Sequence, residues 1–562
     1  MNEQRNLILA SVLAIAVLFG FNFFYDAPRQ QQQLQAKSEA TTEQATQPQA
    51  PQAEKEVVVE RSQALGESKR IKINAPMVHG SINLTGARLD DVTLAQYHET
   101  TDPSSPEIQL LSPQATAEPY YVDFGWLSRQ ETIALPNKTT VWQSEQSELT
   151  PKIPVVLTWN NGQGIVFKRT IRIDDQYMFS ITDEVINNSA TSLNLNAYGQ
   201  ITRVGTPKTG GYFILHEGPI GVINGKLVEL DYQKLLDKGQ QQQSTTGGWL
   251  GITDKYWLVS LIPNQNTSVE TRFKAHALNG TTYYQTETVY PAVEVSKGQT
   301  HTVVQHVFAG AKKLEMLDDY ETKLGFGKFD LAIDFGWFYF LTKPLFYLLD
   351  YLNKIFGNFG IAILVMTVLF KIAFFPLANK SYRSMARMKQ LQPKIEQLKK
   401  KYGDDKMRMN QELMEIYKRE KINPLSGCLP ILIQAPVFFC LYKVLFVSIE
   451  MRHASFFGWI HDLSAPDPTS VFNLFGLLPF TPPSFLMIGV WPILMGLTMF
   501  LQQKLNPQPA DPAQAKAFMI MPVFLTFLLS SFPAGLVIYW AWSNILSIIQ
   551  QWAIMRLDPK DA

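Results

Sequence analysis

The chain has almost no cysteine, and the two it contains cannot pair with each other. Cys428 and Cys440 lie in one apolar run, and a helix would place them ~18 Å apart along its axis. A disulfide requires Cα atoms closer than about 7 Å. The pair therefore supports neither a disulfide nor a redox or metal site, and both residues are interpreted as small apolar fillers.

An excess of charge of one sign is also lacking. The 50 Lys and Arg residues nearly balance the 49 Asp and Glu residues, which leaves a formal net charge of +1. This balance argues against a dominant electrostatic partner, and we expect no sequence-specific nucleic-acid binding.

Catalytic and nucleotide-binding motifs are missing as well. The sequence has no HExxH, no GxSxG, no Walker lysine behind a Gly-rich loop and no CxxC. His216 beside Glu217, together with His276, could form an acid–base pair, but surface or core histidines are far commoner. We therefore predict no enzyme, no cofactor and no metal site.

Long apolar runs, in contrast, are abundant, and the first begins near the N-terminus. Leu7 to Tyr25 is long enough to span ~30 Å of hydrocarbon, and it ends without a small-x-small cleavage site. We interpret residues 1–26 as an uncleaved transmembrane anchor. Residues 27–56 are rich in Gln, Ala, Pro and Thr, which predicts a flexible tether.

The residue pattern of 57–325 predicts a large antiparallel β-sandwich domain. "GIVFKRTIRI", from Gly164 to Ile173, alternates apolar and polar residues, and Asn161-Gly162 before it is typical of a hairpin turn. The segment "DYQKLLDKGQQQQS" predicts a short helical or loop insertion.

Residues 333–358 are apolar around most of a helix circumference. Lys343, Asp350 and Lys354 would fall within a stripe of roughly 40° on that helix. The pattern favours an amphipathic helix in the membrane interface over a transmembrane span, because the charges are interior to the run.

Five further apolar runs follow, and with the anchor they predict six spans. Residues 359–377 form the second span, and residues 425–562 contain spans three to six with their loops. Between them, the segment 378–422 holds thirteen Lys or Arg against six Asp or Glu, a net +7, which marks it as cytoplasmic. Counting the predicted spans outward from this segment then places the β-domain outside and both termini in the cytoplasm.

The cytoplasmic segment, residues 378–424, also has helical periodicity. Apolar residues recur at spacings of three and four at Met388, Leu391, Ile395 and Leu398. The same spacing resumes beyond "GDD". Pro393 should kink or restart the first helix, and Asp404 or Asp405 can cap the next. We predict a basic helical hairpin.

Lys371 is a single cation inside the second predicted span. None of the last five spans contains a carboxylate that could pair with it, so its side chain either snorkels or faces a wet groove. We favour the groove, because polar residues on several spans could surround it. These are Thr367, Gln434, Thr526, Ser530, Tyr539, Ser543, Asn544 and Ser547. A lysine without a carboxylate partner invites an anion.

Several long motifs resemble the YidC membrane protein insertase family. "NPLSGCLPILIQAPVFFCLY" resembles the entry to the family's third span, and "WIHDLSAPDP" its outer loop. "FMIMPVFLTFLLSSFPAGLVIYWAWSNILSIIQQ" is similar to its last two spans. The resemblance covers essentially the whole chain, including the anchor, tether and β-domain of the Gram-negative type.

The resemblance implies an insertase that places newly made proteins into the bacterial inner membrane, alone or beside the Sec translocon. It implies five core spans around a hydrophilic groove, with Lys371 as the groove charge and Thr367 beside it. Phe438, Tyr539 and Trp540 correspond to client-contacting positions. The periplasmic domain resembles a sugar-mutarotase-like supersandwich, without implying that activity.

Two features depart from the family pattern. The family usually carries arginine where Lys371 stands, so the bidentate guanidinium geometry is lost. Several relatives end in a long basic tail that helps hold ribosomes, whereas "RLDPKDA" has balanced charges here. Ribosome or partner contact is therefore expected from lysines of the hairpin and of a later short loop, which are Lys399, Lys400, Lys401, Lys406 and Lys504.

Two other functions remain possible on the residues alone. A transporter could use Lys371 as a midplane site for a small anion, although internal repeats are lacking. A periplasmic sugar enzyme tethered to the membrane would keep its activity in the isolated β-domain. The expected partners of the insertase are nascent membrane proteins, Sec components, the ribosome and the lipid bilayer.

Overall fold

The computed structural model has two compact units, one ending at Asp334 and the other beginning at Phe335. The predicted anchor and tether lie outside the described residues. The structure describes residues 58–130, 132–209, 215–278, 280–402, 405–420, 429–480, 482–483, 486–506 and 512–557.

The first unit contains two β-sheets. Eleven strands form the larger sheet, which is antiparallel except where β1 pairs with β6. Its main order is β13 (Gln241–Thr246), β16 (Ser268–Leu278), β17 (Thr281–Val289), β10 (Leu193–Val204), β5 (Tyr120–Ser128), β3 (Arg88–His98), β2 (Val78–Asn83), β1 (Arg70–Asn74) and β6 (Glu148–Leu149), with β18 (Val293–Val295) on β10 and β4 (Glu107–Leu111) on β3.

Eight antiparallel strands form the smaller sheet. Its order is β12 (Lys226–Glu229), β11 (Gly218–Ile223), β14 (Trp249–Thr253), β15 (Trp257–Ile262), β19 (Thr300–Ala311), β9 (Met178–Asn187), β8 (Ile165–Ile173) and β7 (Val155–Asn160). Among its described residues the unit also contains the α-helices α1 (Arg61–Gly66), α2 (Tyr232–Lys238) and α3 (Leu314–Leu324), and a short 3-10 helix at Phe329–Ala332.

Local sequence explains the β7–β8 hairpin. Both strands alternate buried and more exposed residues, and Val155 pairs with Ile171 in the register. Gly162 and Gly164 adopt φ of 74° and 82°, which a side chain would disfavour. The insertion predicted at 231–244 has two parts, because α2 is followed by the glutamine-rich strand β13.

The two sheets pack face to face, and this confirms the predicted β-sandwich. Gly199 on β10 and Gln305 on β19 approach so closely that an added Cβ would lie 2.8 Å from the amide oxygen. The Tyr120 hydroxyl donates across the interface to the Ile252 carbonyl at 3.2 Å. The core also holds a buried ion pair, in which Arg169 Nε lies 2.6 Å from Asp183 Oδ1.

The second unit is helical, which confirms the predicted helical C-terminal region. Its helices are α4 (Tyr339–Phe356), α5 (Phe359–Ala373), α6 (Phe375–Gln390), α7 (Gln392–Tyr402), α8 (Lys406–Arg419), α9 (Leu429–Val447), α10 (Val490–Leu505), α11 (Pro512–Leu529) and α12 (Ala534–Leu557). Each of the last five apolar runs of the sequence overlaps one of these helices.

Among the described residues, no individual helix combines the length and apolar composition needed for a membrane crossing, whereas α5 and α6 satisfy the criterion as a pair that bends by 69°. The break follows from Pro376 in the first turn of α6, because proline has no N–H to continue the helix. Helix α4 begins at Tyr339 rather than near residue 333, since Gly336 turns the chain with φ of 69°.

The basic segment forms the predicted hairpin of α7 and α8. Pro393 lies in the first turn of α7, which restarts the helix after α6, and Asp405 caps α8 by accepting from Arg408 N at 3.0 Å. Leu391 and Ile416 form its buried core, and Lys394 pairs with Glu420 at 3.2 Å.

Candidate functional site

Lys371 lies in the last turn of α5, a helix that begins where Asn358 caps the Ile361 N–H at 3.1 Å. Its side chain is partly exposed, and Nζ donates to Ser547 Oγ on α12 at 2.7 Å. The buried Ser547 hydroxyl donates in turn to the Ser543 carbonyl at 2.8 Å. The cation is therefore bound to a neutral hydroxyl, and α5 and α9–α12 contain no Asp or Glu.

Two further side chains of α12 fix the backbone of α5. Trp542 donates its indole N–H to the Leu364 carbonyl at 3.2 Å, and Gln550 Nε2 donates to the Lys371 carbonyl at 3.2 Å. These contacts lie about two turns apart on each helix. They set the height and rotation of α5 against α12, and so they fix where the ammonium group lies.

The other polar side of α12 contacts α10. Asn544 Nδ2 donates to Thr498 Oγ1 at 3.3 Å, and Gln551 Nε2 donates to the Leu505 carbonyl at 3.3 Å. Asn544 and Gln551 are both buried. Helix α12 is thus hydrogen-bonded to α5 on one side and to α10 on the other.

An aromatic cluster joins α9 to the beginning of α12. Phe438 lies 4.7 Å from the Trp540 ring and 6.5 Å from the Tyr539 ring, between ring centroids. Gln434 Nε2 donates to the Tyr539 hydroxyl, one turn from Phe438. The three residues expected to contact clients therefore meet at one place, although their chain positions are far apart.

Three of the predicted groove-lining residues bond to backbone carbonyls of the helix that they belong to or directly follow. Thr367 Oγ1 donates to the Ile363 carbonyl at 2.7 Å, Thr526 Oγ1 to Pro522 at 2.8 Å, and Ser530 Oγ to Phe527 at 2.7 Å. Thr526 also packs directly against Gly496 of α10. Of the predicted lining residues, Ser543 and Asn544 lie beside Ser547, whereas Thr526 lies in the α10–α11 contact.

Gln550 and Thr498 take part in the polar contacts of α12 described above, and they are not among the predicted site residues. The spacing of Ser543, Ser547 and Gln550 by four and three residues places them on one helix face, and this signal could have found Gln550. Nothing local in the sequence identifies Thr498 as the partner of Asn544.

The predicted partner-contacting lysines occupy two places. Lys400 and Lys401 are exposed on α7, and Lys504 is exposed at the end of α10, where its ammonium lies 4.8 Å from the Phe500 ring centroid. The side chains of Lys399 and Lys406 lie outside the described part of the structure. Their role as a docking surface stays a prediction.

Comparison with known proteins gives the same family over both units. The pattern described as "YidC periplasmic domain" matches residues 70–348, and the one described as "60Kd inner membrane protein" matches residues 351–561. Relatives named "Membrane protein insertase YidC" include one from Methylobacterium nodulans, 49% identical over 99% of this chain and 95% of its own length. Those from Brucella suis and Rhizobium meliloti are 55% and 50% identical over 88% and 99% of this chain, and over 82% and 96% of their own lengths.

Solved structures are more distant. A crystal structure titled as an active YidC insertase covers 86% of this chain and 92% of its own, with 18% identity and a TM-score of 0.36. A galactose mutarotase related enzyme from Lactobacillus acidophilus covers 43% of this chain and 97% of its own, with 10% identity and a TM-score of 0.30. The sequence relatives are decisive, and the chain belongs to the YidC family of membrane protein insertases.

Proposed function

We propose that this chain inserts newly made proteins into the bacterial inner membrane, and that Lys371 supplies a temporary counter-charge during insertion. The observation that carries the proposal is the ammonium group of α5 bound to the Ser547 hydroxyl, among helices that contain no carboxylate. The relatives named as membrane protein insertases support the activity. Nothing found favours the transport of a small anion.

The proposed topology has six spans, with the β-unit in the periplasm and both termini in the cytoplasm. Helices α5, α9, α10, α11 and α12 are the five core spans, and α4 lies in the interface. The net +7 of residues 378–422 supports a cytoplasmic hairpin, because Lys and Arg are enriched on that side of membrane proteins.

The counter-charge lowers the cost of moving an acidic peptide tail. A carboxylate at the bilayer centre is unfavourable by ~3 kcal/mol even on the lenient insertion scale. A partly exposed ammonium that keeps donors beyond its bond to Ser547 offers the tail a partner there. The membrane potential then adds ~2.3 kcal/mol per charge per 100 mV for a negative tail moving outward. No nucleotide is required.

The apolar segment of the client leaves past the aromatic cluster of α9 and α12. Phe438 and Trp540 are partly exposed, and the neighbouring Phe439 is 56% exposed. Aromatic faces bind apolar chains without sequence-specific hydrogen bonds, which suits varied clients. Transfer of the client's apolar span into lipid supplies the driving force.

Docking of the ribosome and of Sec components is proposed for the basic hairpin and Lys504. The hairpin core of Leu391 and Ile416 supports exposed lysines on α7, of which Lys400 and Lys401 are examples. Ribosomal RNA is a strongly anionic surface, so this contact should weaken with salt.

The test replaces Lys371 in a strain depleted of its own insertase. Lys371→Ala should block clients with acidic tails, while Lys371→Arg should insert them, because arginine keeps the charge. Insertion is measured by protease accessibility of the translocated tail. Full insertion by Lys371→Ala would refute the counter-charge, and a client with an uncharged tail serves as the control.

A further inference from the structure

The loop between α9 and α10 carries a group of exposed apolar side chains that the insertion route does not use. We call residues 472–480 the apolar tip. Leu477 is 82% exposed, and the other large apolar side chains of the tip are between 41% and 53% exposed. Soluble surfaces rarely gather so many. The exposed members are Phe472, Leu474, Phe475, Leu477, Leu478 and Phe480.

The base of the loop is rigidly attached to the helices. Asp467 is buried, and its Oδ1 accepts from Trp459 Nε1 at 3.1 Å and from Thr469 N at 3.0 Å. Its Oδ2 accepts from Trp491 N at 2.9 Å, in the first turn of α10. A hydrogen bond from Val471 N to the Ile488 carbonyl at 3.1 Å joins the segment that enters the tip to the segment that leaves it. The tip therefore has a defined position.

Several backbone groups of the tip are paired, either within it or with the chain just before it. Phe475 N donates to the Ser470 carbonyl at 2.8 Å, and Leu478 N donates to the Asn473 carbonyl at 3.0 Å. Asn473 Nδ2 donates to the Phe480 carbonyl at 3.3 Å. Irregular backbone is normally excluded from hydrocarbon because its unpaired N–H and C=O groups have no water to bind there. These internal hydrogen bonds lower the cost of placing the turn in an apolar medium.

The tip lies at the end of the helical unit where α5, α10 and α12 begin. Phe456 of the same loop packs against Gly360 near the start of α5, and Ala534 N, at the start of α12, donates to the Ala465 carbonyl at 2.8 Å. No Asp, Glu, Lys, Arg or His occurs from Pro468 to Gln503. The uncharged stretch of chain thus continues from the tip into α10, where several large apolar side chains are exposed. Its exposed members there are Ile493, Leu494, Leu497 and Leu501.

We propose that the apolar tip inserts into the outer leaflet of the surrounding bilayer and binds the acyl chains of its lipids. Lipid is the favoured occupant because the tip leads directly into α10, and the chain from Pro468 to Gln503 carries no charged residue that could pair with a protein partner, whereas protein interfaces have a polar rim. Trp459 and Phe457 are exposed on the same loop, and aromatic side chains gather at membrane interfaces. The inference rests on the proposed topology and is independent of Lys371.

The test is photo-crosslinking of the full chain in vesicles of phosphatidylethanolamine and phosphatidylglycerol. Benzoylphenylalanine replaces Leu477 in one variant, Val523 on α11 as the lipid-facing reference, and His461 as an exposed position elsewhere in the same loop. After irradiation, mass spectrometry identifies the adducts. We expect lipid adducts at position 477 to be as abundant as at position 523, and we expect none at position 461.

A second measurement moves the benzoylphenylalanine to position 475 and changes the nearby Leu477. Leu477→Asp should abolish the lipid adduct, because a carboxylate resists transfer into acyl chains, whereas Leu477→Met should retain it. Adducts at 477 only to protein, or none at all, would overturn the proposal. The same vesicles are assayed for client insertion, so loss of insertion with lipid adducts intact would count against the proposed function alone.

Discussion

Lys371 Nζ lies 2.7 Å from Ser547 Oγ, and the two residues belong to helices far apart in the chain. The Ser547 hydroxyl donates its own hydrogen bond to the Ser543 carbonyl, so its oxygen is oriented to accept from the ammonium. A neutral acceptor positions the charge without neutralising it. This separates the site from an ion pair, which would cancel the charge that an acidic client is proposed to meet.

We expect Ser547→Ala to weaken insertion of acidic-tailed clients without abolishing it. The ammonium would lose an oriented acceptor worth about 1 kcal/mol, which corresponds to roughly a fivefold lower rate. Initial rates in proteoliposomes measure the effect. Ser531→Ala is the control, because Ser531 is exposed and its hydroxyl bonds locally, to the Leu528 carbonyl at the end of α11.

A double-mutant cycle tests whether Ser547 acts through Lys371. In a Lys371→Ala chain, Ser547→Ala should have little additional effect, because the contact it serves is already gone. An equal decrease in both backgrounds would show that Ser547 acts independently of the lysine.

Gly496→Ala should loosen the contact between α10 and α11. An added Cβ would collide with the Thr526 hydroxyl, which is held by its bond to the Pro522 carbonyl. Small residues at such crossings allow helices in membranes to approach closely. We expect a stability loss of about 1 kcal/mol, typical of mild overpacking, seen as a lower midpoint in detergent unfolding. Adding Thr526→Ala should restore part of it, and a double variant no better than Gly496→Ala would contradict this packing.

Arg169→Met should strongly destabilise the β-unit. Asp183 would remain buried without its counter-charge, which costs about 3–5 kcal/mol when one partner of a buried pair is removed. Hydrogen exchange in β8 and β9 of the full chain measures it. Arg169→Met with Asp183→Leu should recover much of the loss.

The matched control for Arg169 is the adjacent pair on the same strands. Lys168 Nζ lies 2.7 Å from Glu184 Oε2, with side chains 37% and 24% exposed. Lys168→Met should cost at most about 1 kcal/mol, because such pairs are solvated. If both variants lose the same protection, burial is not what makes the Arg169 pair important.

The β-unit should lose stability as pH falls below neutrality. Burial lowers the pKa of His301 and His306 below the ordinary value of 6.5, and burial with nearby Lys274 does the same for the pKa of His276. Below pH 6.5 the unfolded chain binds protons that the folded chain refuses, so stability is present above that pH and lost as pH falls towards the lowered values. Unfolding at about pH 7.5 and about pH 5.5 measures this. Replacing all three with Gln should flatten the decline, and an unchanged slope would assign it to other groups.

Local chemistry made several elements predictable. The Asn161-Gly162 turn, the restart of a helix at Pro393 and the Asp405 cap depend on residues within a few positions of each other. The apolar runs predicted the helices for the same reason. The start of α4 was misplaced because a single glycine with positive φ interrupts an otherwise continuous apolar run.

Contacts between distant segments were not predictable. The sequence contains many polar residues in apolar helices, and all of them were plausible neighbours of Lys371. Rotation of each helix decides that Ser547 binds the lysine while Thr526 faces Gly496. The position of the exposed apolar tip depends likewise on the hydrogen bond between Asp467 and the first turn of α10.

By itself, the sequence determined the two-part architecture, the family and a lysine in the second predicted span, among helices without carboxylates. Periodicity and composition depend on neighbouring residues, and long motifs are inherited within a family. All three can therefore be recognised in the sequence without coordinates. Only the tertiary structure decided which hydroxyl binds that cation, which polar groups bond to their own helix, and which apolar side chains stay exposed. Those outcomes depend on helix rotation and packing between segments hundreds of residues apart, which no local pattern encodes.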